Sequence, residues 1–178
     1  MRRLAHTAWG ATSQRLSAEP KRPATLWHLR QDTIVPASLD RTFAFFADAA
    51  NLERLTPPWL SFTIETPPPL TMSAGALIDY RIRLYGVSIP WRTQIDVWEP
   101  GVRFVDRQII GPYRWWFHEH TFEAVEGGTR VIDHVEYLPR ARWVSLPWVR
   151  RDLRRIFGYR QAALQRIFAT QLNGTARE

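Results

Sequence analysis

Apolar and polar residues alternate with a period of two through much of the chain after Thr25, a spacing typical of half-buried β-strands. Turn residues interrupt the alternation at Pro100-Gly101, Gly111-Pro112 and Gly127-Gly128. The pattern predicts a first strand that starts near Thr25 and ends at Pro36, followed by six more strands. These six are predicted at residues 60–65, 76–85, 90–99, 102–110, 113–125 and 129–138. The short connections indicate an antiparallel meander.

Helical spacing appears after the first strand and again at the end of the chain. Leu39, Phe43 and Phe46 fall on one face of a short helix, and a second short helix is predicted at residues 51–55. The C-terminal helix is predicted to run for roughly 24 residues and to end at Asn173-Gly174. Its apolar face consists of Val149, Leu153, Ile156, Leu164, Ile167 and Leu172.

This order of elements predicts an α+β fold. A curved, seven-stranded antiparallel sheet would leave one concave apolar face, and the C-terminal helix is the element long enough to cover it. A straight helix does not fit flush against a curved sheet, so we expect a cavity between the two. Cavities of this kind bind small molecules.

Composition narrows the classes of function. The chain has 178 residues, of which 45% are hydrophobic, enough for one domain with a core. We expect residues 25–174 to form that domain and residues 1–24 to be a flexible basic tail. The chain contains no cysteine, which excludes disulfides, thiolate metal sites and cysteine nucleophiles. Apolar runs are too short to span a bilayer, and we expect a cytoplasmic protein.

The net charge of +7 is compatible with anionic partners. No nucleic-acid-binding motif accompanies the charge, so we expect no nucleic-acid partner. Residues 143–155 combine arginines with tryptophans near the start of the last helix. One interpretation is transient contact with a membrane surface, and the other is a solvated helix start.

Spaced motifs occupy the region between Phe104 and Tyr137: F-x-D-x-Q, G-P-[FY], W-x-H-x-H-x-F and D-x-V-x-Y. With the order of elements, this series resembles the polyketide cyclase/dehydrase and START-like superfamily (SRPBCC) over about residues 25–172. The resemblance implies a helix-grip fold, in which the sheet wraps around the last helix. It also implies a cavity for hydrophobic ligands, which some members use as cyclases or carriers. Fold is implied more strongly than function.

Strand alternation places the polar residues of these motifs on one face of the sheet. Asp106 shares its face with Gln108, and His118 shares its face with His120. The hairpin between the two strands would put these pairs opposite or diagonal to each other, and Asp133 on the following strand can join them. Apolar and aromatic residues flank them on every strand. The sequence therefore predicts a polar patch inside an apolar cavity.

Three interpretations of the patch stay open. Its members can satisfy one another, since a buried polar group without a partner costs about 1–3 kcal/mol. They can instead orient a hydroxyl or carbonyl group of a bound molecule. They can also support chemistry: a histidine held by Asp106 could remove a proton alpha to a carbonyl, and two histidines with a carboxylate can bind iron. Because His-x-His on a strand is common as packing, we assign no metal and no cofactor.

The leading prediction is binding or transport of a small hydrophobic molecule, such as a lipid, polyketide-like or isoprenoid compound. The alternative is a cyclase or dehydratase that uses the same cavity, with His118, His120 and Asp106 as candidate catalytic residues. The third hypothesis is an interaction module in which the domain is only a scaffold. The residues expected at the ligand site are Tyr80, Phe104, Asp106, Gln108, Trp116, His118, His120, Phe122, Asp133, Tyr137 and Ile156.

Overall fold

The computed structural model describes residues 21–140 and 142–175, with side chains described within 21–140 and 146–170. Most of the tail predicted at residues 1–24 lies outside this part, so its flexibility stays a prediction. Arg22, near the end of that segment, forms an ion pair with Glu136 on the sheet.

Within the described residues, seven strands and three α-helices follow one another in the predicted order. The strands are β1 (Trp27–Val35), β2 (Thr63–Ile64), β3 (Leu77–Leu84), β4 (Val87–Glu99), β5 (Arg103–Ile110), β6 (Tyr113–Val125) and β7 (Gly128–Pro139). The helices are α1 (Leu39–Ala47), α2 (Asn51–Leu55) and α3 (Arg142–Thr175). The predicted α+β class and its seven strands are confirmed.

The strands form one antiparallel sheet in the order β1-β7-β6-β5-β4-β3-β2. Strands β2 to β7 pair with their neighbours along the chain, as a meander does. The first strand β1 pairs with the last one, β7, along its whole length. The sheet is open, with β1 and β2 at its edges.

The C-terminal helix α3 covers one face of this sheet. Leu164 and Phe168 are fully buried in a cluster that includes residues of β5, β6 and β7, and the phenylalanines of α1 join the same cluster. Further towards the start of α3, Leu153 and Phe157 pack with Val135 of β7 in a second cluster. The helix therefore lies across the sheet, as the helix-grip prediction requires.

A close backbone approach fixes the connection between β1 and α1. Gly128 has a positive φ of 149°, and a Cβ atom there would lie 2.0 Å from the carbonyl oxygen of Val35. The next residue, Thr129, donates a side-chain hydrogen bond to the carbonyl of Ala37. Ser38 then caps α1 by accepting a hydrogen bond from the backbone N–H of Arg41. Together these contacts hold α1 above the sheet.

Two predicted element lengths are wrong. Helix α3 is longer than predicted, because it begins at Arg142, before Pro147, and continues through Gly174. One proline costs a backbone hydrogen bond and one glycine costs about 1 kcal/mol, and neither need end a long packed helix. Strand β2 is shorter than the predicted 60–65, because a 3₁₀ turn occupies Pro58–Leu60 and Ser61 has a left-handed φ of 42°.

The other face of the sheet carries paired charges. Arg107 binds Asp96, and Arg103 binds Glu119. These side chains are 19–37% exposed, and ion pairs near the surface contribute only about 0–1 kcal/mol each, so their main consequence is to identify the solvent-facing side. No helix in the described residues is both long and apolar enough to cross a membrane.

Candidate functional site

Three adjacent strands bring the predicted polar residues together. In the register of β5 and β6, Asp106 lies opposite His118, and in the register of β6 and β7, His120 lies opposite Asp133. Side chains directly opposite each other in antiparallel strands are close enough to interact. The four side chains thus meet on the face that α3 covers, and we call them, with Arg160 of α3, the polar cluster.

Asp106 contacts both histidines from one side. Its Oδ2 atom lies 3.1 Å from Nε2 of His120, with which it forms a hydrogen bond, and 3.5 Å from Nδ1 of His118. The two imidazole centroids are 3.8 Å apart. The ring of Phe104 stacks on His120 at 4.2 Å, which restrains the orientation of that imidazole.

Asp133 contacts both histidines from the other side. Its Oδ1 atom forms a hydrogen bond with Nε2 of His118 at 3.0 Å and lies 2.8 Å from Nδ1 of His120. Its second oxygen, Oδ2, accepts a hydrogen bond from Nε of Arg160 at 3.3 Å. Each histidine therefore has one ring nitrogen near Asp133 and the other near Asp106.

The cluster is almost entirely removed from solvent. Asp133 is 2% exposed and Arg160 is 8% exposed. Burial by itself would raise the pKa of Asp133, but Arg160 and the two imidazoles outweigh burial and hold that pKa well below its ordinary value. Burial likewise opposes ionisation of Asp106, and His118 and His120 again make the net effect a lowered pKa. Burial lowers the pKa of His118, and the adjacent His120 adds to this.

Arg160 is the member of the cluster that sequence reasoning missed. Arg160 lies on α3, and the prediction of the polar patch was based on the alternation of side chains along the strands. The signal that could have found it is its position: it lies four residues after Ile156 and four before Leu164, on the apolar face of the helix. A buried arginine needs an anionic partner, and Asp133 supplies one.

A cavity of about 220 Å³ lies between the sheet and the helices. Asp106, His118, His120 and Arg160 form part of its wall, and most of the remaining wall is apolar or aromatic. Four aromatic rings of the wall pack against one another. The ring centroid of Trp91 lies 5.3 Å from that of Trp116 and 5.7 Å from that of Tyr80. The ring centroid of Tyr113 lies 4.7 Å from that of Trp116. The cavity therefore combines a mostly apolar and aromatic wall with the charged and hydrogen-bonding groups of the polar cluster, and Asp48, Asn51 and Asp152 add polar groups elsewhere on the wall.

Seven of the eleven predicted ligand-site residues line this cavity. They are Tyr80, Phe104, Asp106, Trp116, His118, His120 and Ile156. The other four do not reach it. They are Gln108, Phe122, Asp133 and Tyr137.

Each of these four residues has a different place in the structure. Gln108 bridges the β5–β6 hairpin, where its side chain bonds to both the N–H and the carbonyl of Tyr113. Phe122 packs in the core with the phenylalanines of α1. Tyr137 packs in the cluster beneath the first half of α3. Asp133 lies behind the histidines and acts on the cavity only through them and Arg160.

Two groups of side chains have the composition of a metal site. Asp106, His118 and His120 place one ligand atom each within 4.8 Å of one another at the cavity wall. His28, His134 and Glu136 do the same on the opposite, solvent-facing side of the sheet. The sequence analysis assigned no metal ion to the protein.

Comparisons with known proteins identify a family and a fold. The family model described as "Domain of unknown function (DUF8410)" matches residues 35–168. No curated protein matches the chain. The Zhui aromatase/cyclase from Streptomyces sp. R1128 has a similar structure, with a TM-score of 0.68 and 13% identity over 83% of this chain and 96% of that one.

Two further solved structures are also similar. Ginseng major latex-like protein 151 from Panax ginseng has a TM-score of 0.61 and 10% identity, over 80% of this chain and 97% of that one. The di-domain ARO/CYC StfQ from the steffimycin biosynthetic pathway has a TM-score of 0.64 and 15% identity, over 84% of this chain and 52% of that one. At such identities the likeness concerns the fold alone, and the predicted helix-grip fold is confirmed.

Proposed function

This chain belongs to the family described as a domain of unknown function (DUF8410), and we propose that it binds a compact, mostly apolar molecule between the sheet and α3. The observation that carries the proposal is the cavity itself, whose wall is mostly apolar or aromatic and includes members of the polar cluster. Binding sites for small molecules have this composition, in which a few polar groups orient an otherwise apolar ligand.

The volume of the cavity narrows the class of ligand. An apolar cavity of about 150 Å³ binds benzene, and this one has about 220 Å³. A molecule of one or two rings matches that volume, whereas a long-chain lipid exceeds it. Among the classes predicted from sequence, small polyketide-like or isoprenoid compounds therefore fit best.

The polar cluster supports a hydroxyl or carbonyl group on that ligand. Asp106 offers a carboxylate beside the two histidines, and Arg160 offers N–H donors, all at the cavity wall. A ligand oxygen near them would be oriented in one direction, with its rings against Trp91 and Trp116. Hydrogen bonds to charged groups contribute about 1.5–3 kcal/mol, enough to distinguish ligands of the same shape.

An acid–base cyclase or dehydratase is the second candidate. Imidazoles held by carboxylates at a cavity wall can move a proton to or from a bound substrate, and His118 and His120 both have this arrangement. Two of the proteins with similar folds are named as aromatase/cyclase enzymes. Turnover of a bound polyketide-like substrate, lost in His118→Ala or His120→Ala while binding persists, would favour this candidate. The cytoplasmic location stays a prediction.

Two probes of the same shape test the binding proposal. 2-Naphthol and 2-methylnaphthalene differ by one hydroxyl group, and their affinities can be measured by calorimetry, directly or in competition, with EDTA present. We expect 2-naphthol to bind about 10- to 100-fold more tightly, since its hydroxyl can bond to the polar cluster. Mass spectrometry of an organic extract of the purified protein would identify a natural ligand.

Three variants complete this test. His118→Ala should reduce the preference for 2-naphthol, and Ala49→Leu, which places a larger side chain in the cavity wall, should weaken both probes. His134→Ala is the matched control, because that imidazole lies on the other side of the sheet. If neither probe binds, or if Ala49→Leu changes neither affinity, the cavity is not the binding site.

A further inference from the structure

Asp106, His118 and His120 each place one candidate metal ligand within 4.8 Å of the other two. Oδ2 of Asp106 lies 3.1 Å from Nε2 of His120 and 3.5 Å from Nδ1 of His118. Ligands bound at about 2.1 Å with angles between octahedral and tetrahedral values are separated by about 3.0–3.4 Å, so the first distance falls within this range and the second lies just above it. From this match we propose that Asp106, His118 and His120 bind one divalent transition-metal ion of the zinc or iron class.

The outer carboxylate strengthens this inference. Histidines that bind a metal through one ring nitrogen usually donate the other N–H to a carboxylate or carbonyl group. Here Nε2 of His118 lies 3.0 Å and Nδ1 of His120 lies 2.8 Å from the same oxygen of Asp133. Nε2 of His120 also forms a hydrogen bond with Oδ2 of Asp106, and Nη2 of Arg160 lies 3.4 Å from Nδ1 of His120. A metal ion bound to Asp106 and His120 would displace the proton that they share, because metal ligands must be deprotonated.

The ligand set leaves coordination positions free for another molecule. Two histidines and one carboxylate are the protein ligands of open zinc and iron sites, in which water or substrate takes the remaining positions. Asp106, His118 and His120 lie at the wall of the cavity, so the open side of the ion would face the space assigned to the organic ligand. Phe104 stacks on His120 and keeps its ring in the required orientation.

The net charge of the polar cluster with a metal ion bound indicates which class of organic ligand it would select. This inference about the organic ligand rests on the proposed function, whereas the metal site itself does not. Asp106 and Asp133 carry two negative charges, and Arg160 carries one positive charge. A divalent ion would leave the cluster with a net charge of +1. A phenolate, enolate or carboxylate oxygen would neutralise that charge, so we expect metal to favour ligands that can carry an anionic oxygen.

A second group of histidines could bind metal in the same experiment and must be separated from the first. On the solvent-facing side, Nδ1 of His28 lies 3.2 Å from Nε2 of His134. Glu136, the third member of that group, is already paired with Arg22. The double variant His28→Ala/His134→Ala removes this group and serves as the matched control.

The experiment uses the full chain without an affinity tag, stripped of metal and titrated with Co²⁺ and Zn²⁺ in the absence of organic ligand. We expect one equivalent of Co²⁺ with visible d–d absorption, displaced by Zn²⁺, in the native chain and in the double control variant. His118→Ala, His120→Ala and Asp106→Asn should each weaken binding by more than about 100-fold, because losing a ligand costs more than losing an outer partner, about 10- to 100-fold. Asp133→Asn should fall within that smaller range.

Asp106→Asn is close in shape to the native residue, so it tests the site if the alanine variants do not fold, as judged by circular dichroism. Absence of Co²⁺ binding, or binding lost only in the His28→Ala/His134→Ala variant, overturns the inference. Failure of the metal site leaves the naphthol comparison in EDTA unaffected. Conversely, Co²⁺ can bind even if neither naphthalene probe does. Each of the two proposals can therefore be refuted without refuting the other.

Discussion

Removing the charge of Arg160 tests the energetic importance of the polar cluster. Arg160→Leu replaces the arginine with an apolar side chain that also favours a helix, but it leaves Asp133 without its cationic partner. Both groups are more than nine-tenths buried. Breaking a buried ion pair by deleting one partner costs about 3–5 kcal/mol, because the remaining charge is left without compensation. Arg160 also lies 5.2 Å from the ring of Phe46, and a desolvated cation–π contact of this kind contributes about 2 kcal/mol.

Urea unfolding followed by circular dichroism measures this effect as a change in the free energy of unfolding. We expect a loss of about 3–5 kcal/mol for Arg160→Leu. Arg166→Leu is the matched control on the same helix, since Arg166 is exposed, and surface substitutions usually change stability by about 0.5 kcal/mol or less. An unchanged m-value would show that both variants unfold from the same compact state.

A double-mutant cycle separates the ion pair from the packing of the side chain. Asp133→Asn removes the negative charge at nearly constant shape. In the Asp133→Asn background, Arg160→Leu should cost at least about 1–2 kcal/mol less than in the native chain, because the two groups contact each other directly. A cost below about 1 kcal/mol in the native chain, or equal costs in both backgrounds, would refute the assigned ion pair.

The remaining predictions concern the turns and the exposed start of α3. Gly128→Ala should lower the free energy of unfolding by about 3 kcal/mol or more, because its Cβ would overlap the carbonyl of Val35. Gly127→Ala, at a φ of 81° with nothing within 4 Å of its Cβ, should cost about 1 kcal/mol, and equal losses would contradict the proposed overlap. Gln108→Ala should cost about 1–2 kcal/mol in the same assay, because it removes both side-chain hydrogen bonds of the β5–β6 hairpin; an unchanged stability would show that these bonds contribute nothing. Trp148, which is 60% exposed, should contribute to membrane contact: Trp148→Ser should reduce sedimentation with phosphatidylserine vesicles several-fold, and equal sedimentation of both chains would remove that proposal.

The sheet could be predicted from sequence because its turns and its alternation are both explicit. The hairpin through Gly111-Pro112 set the pairing of β5 with β6, and the observed partners Asp106 and His118 follow from it. The approach of Asp133 was predictable for the same reason, since only Glu126 and Gly127 separate β6 from β7. Local signals of this kind specify neighbouring strands well.

Contacts between layers were not predictable in the same way. Arg160 reaches Asp133 from α3, and neither strand alternation nor helix spacing says which helix residue lies above which strand. Gln108 shares the predicted face with Asp106, yet it turns to the hairpin backbone. The bounds of α3 also differ from the prediction, because the helix begins before Pro147 and continues through Gly174.

The most direct measurement for the central claim is a crystal structure of the protein with 2-naphthol, grown at a concentration that saturates binding in solution. We expect the naphthol rings to lie between the sheet and α3, against Trp91 and Trp116. The hydroxyl oxygen should lie within about 3.2 Å of a nitrogen of His118, His120 or Arg160. Naphthol bound outside this space, or a space filled by the protein's own side chains, would contradict the proposal that the cavity binds a ligand.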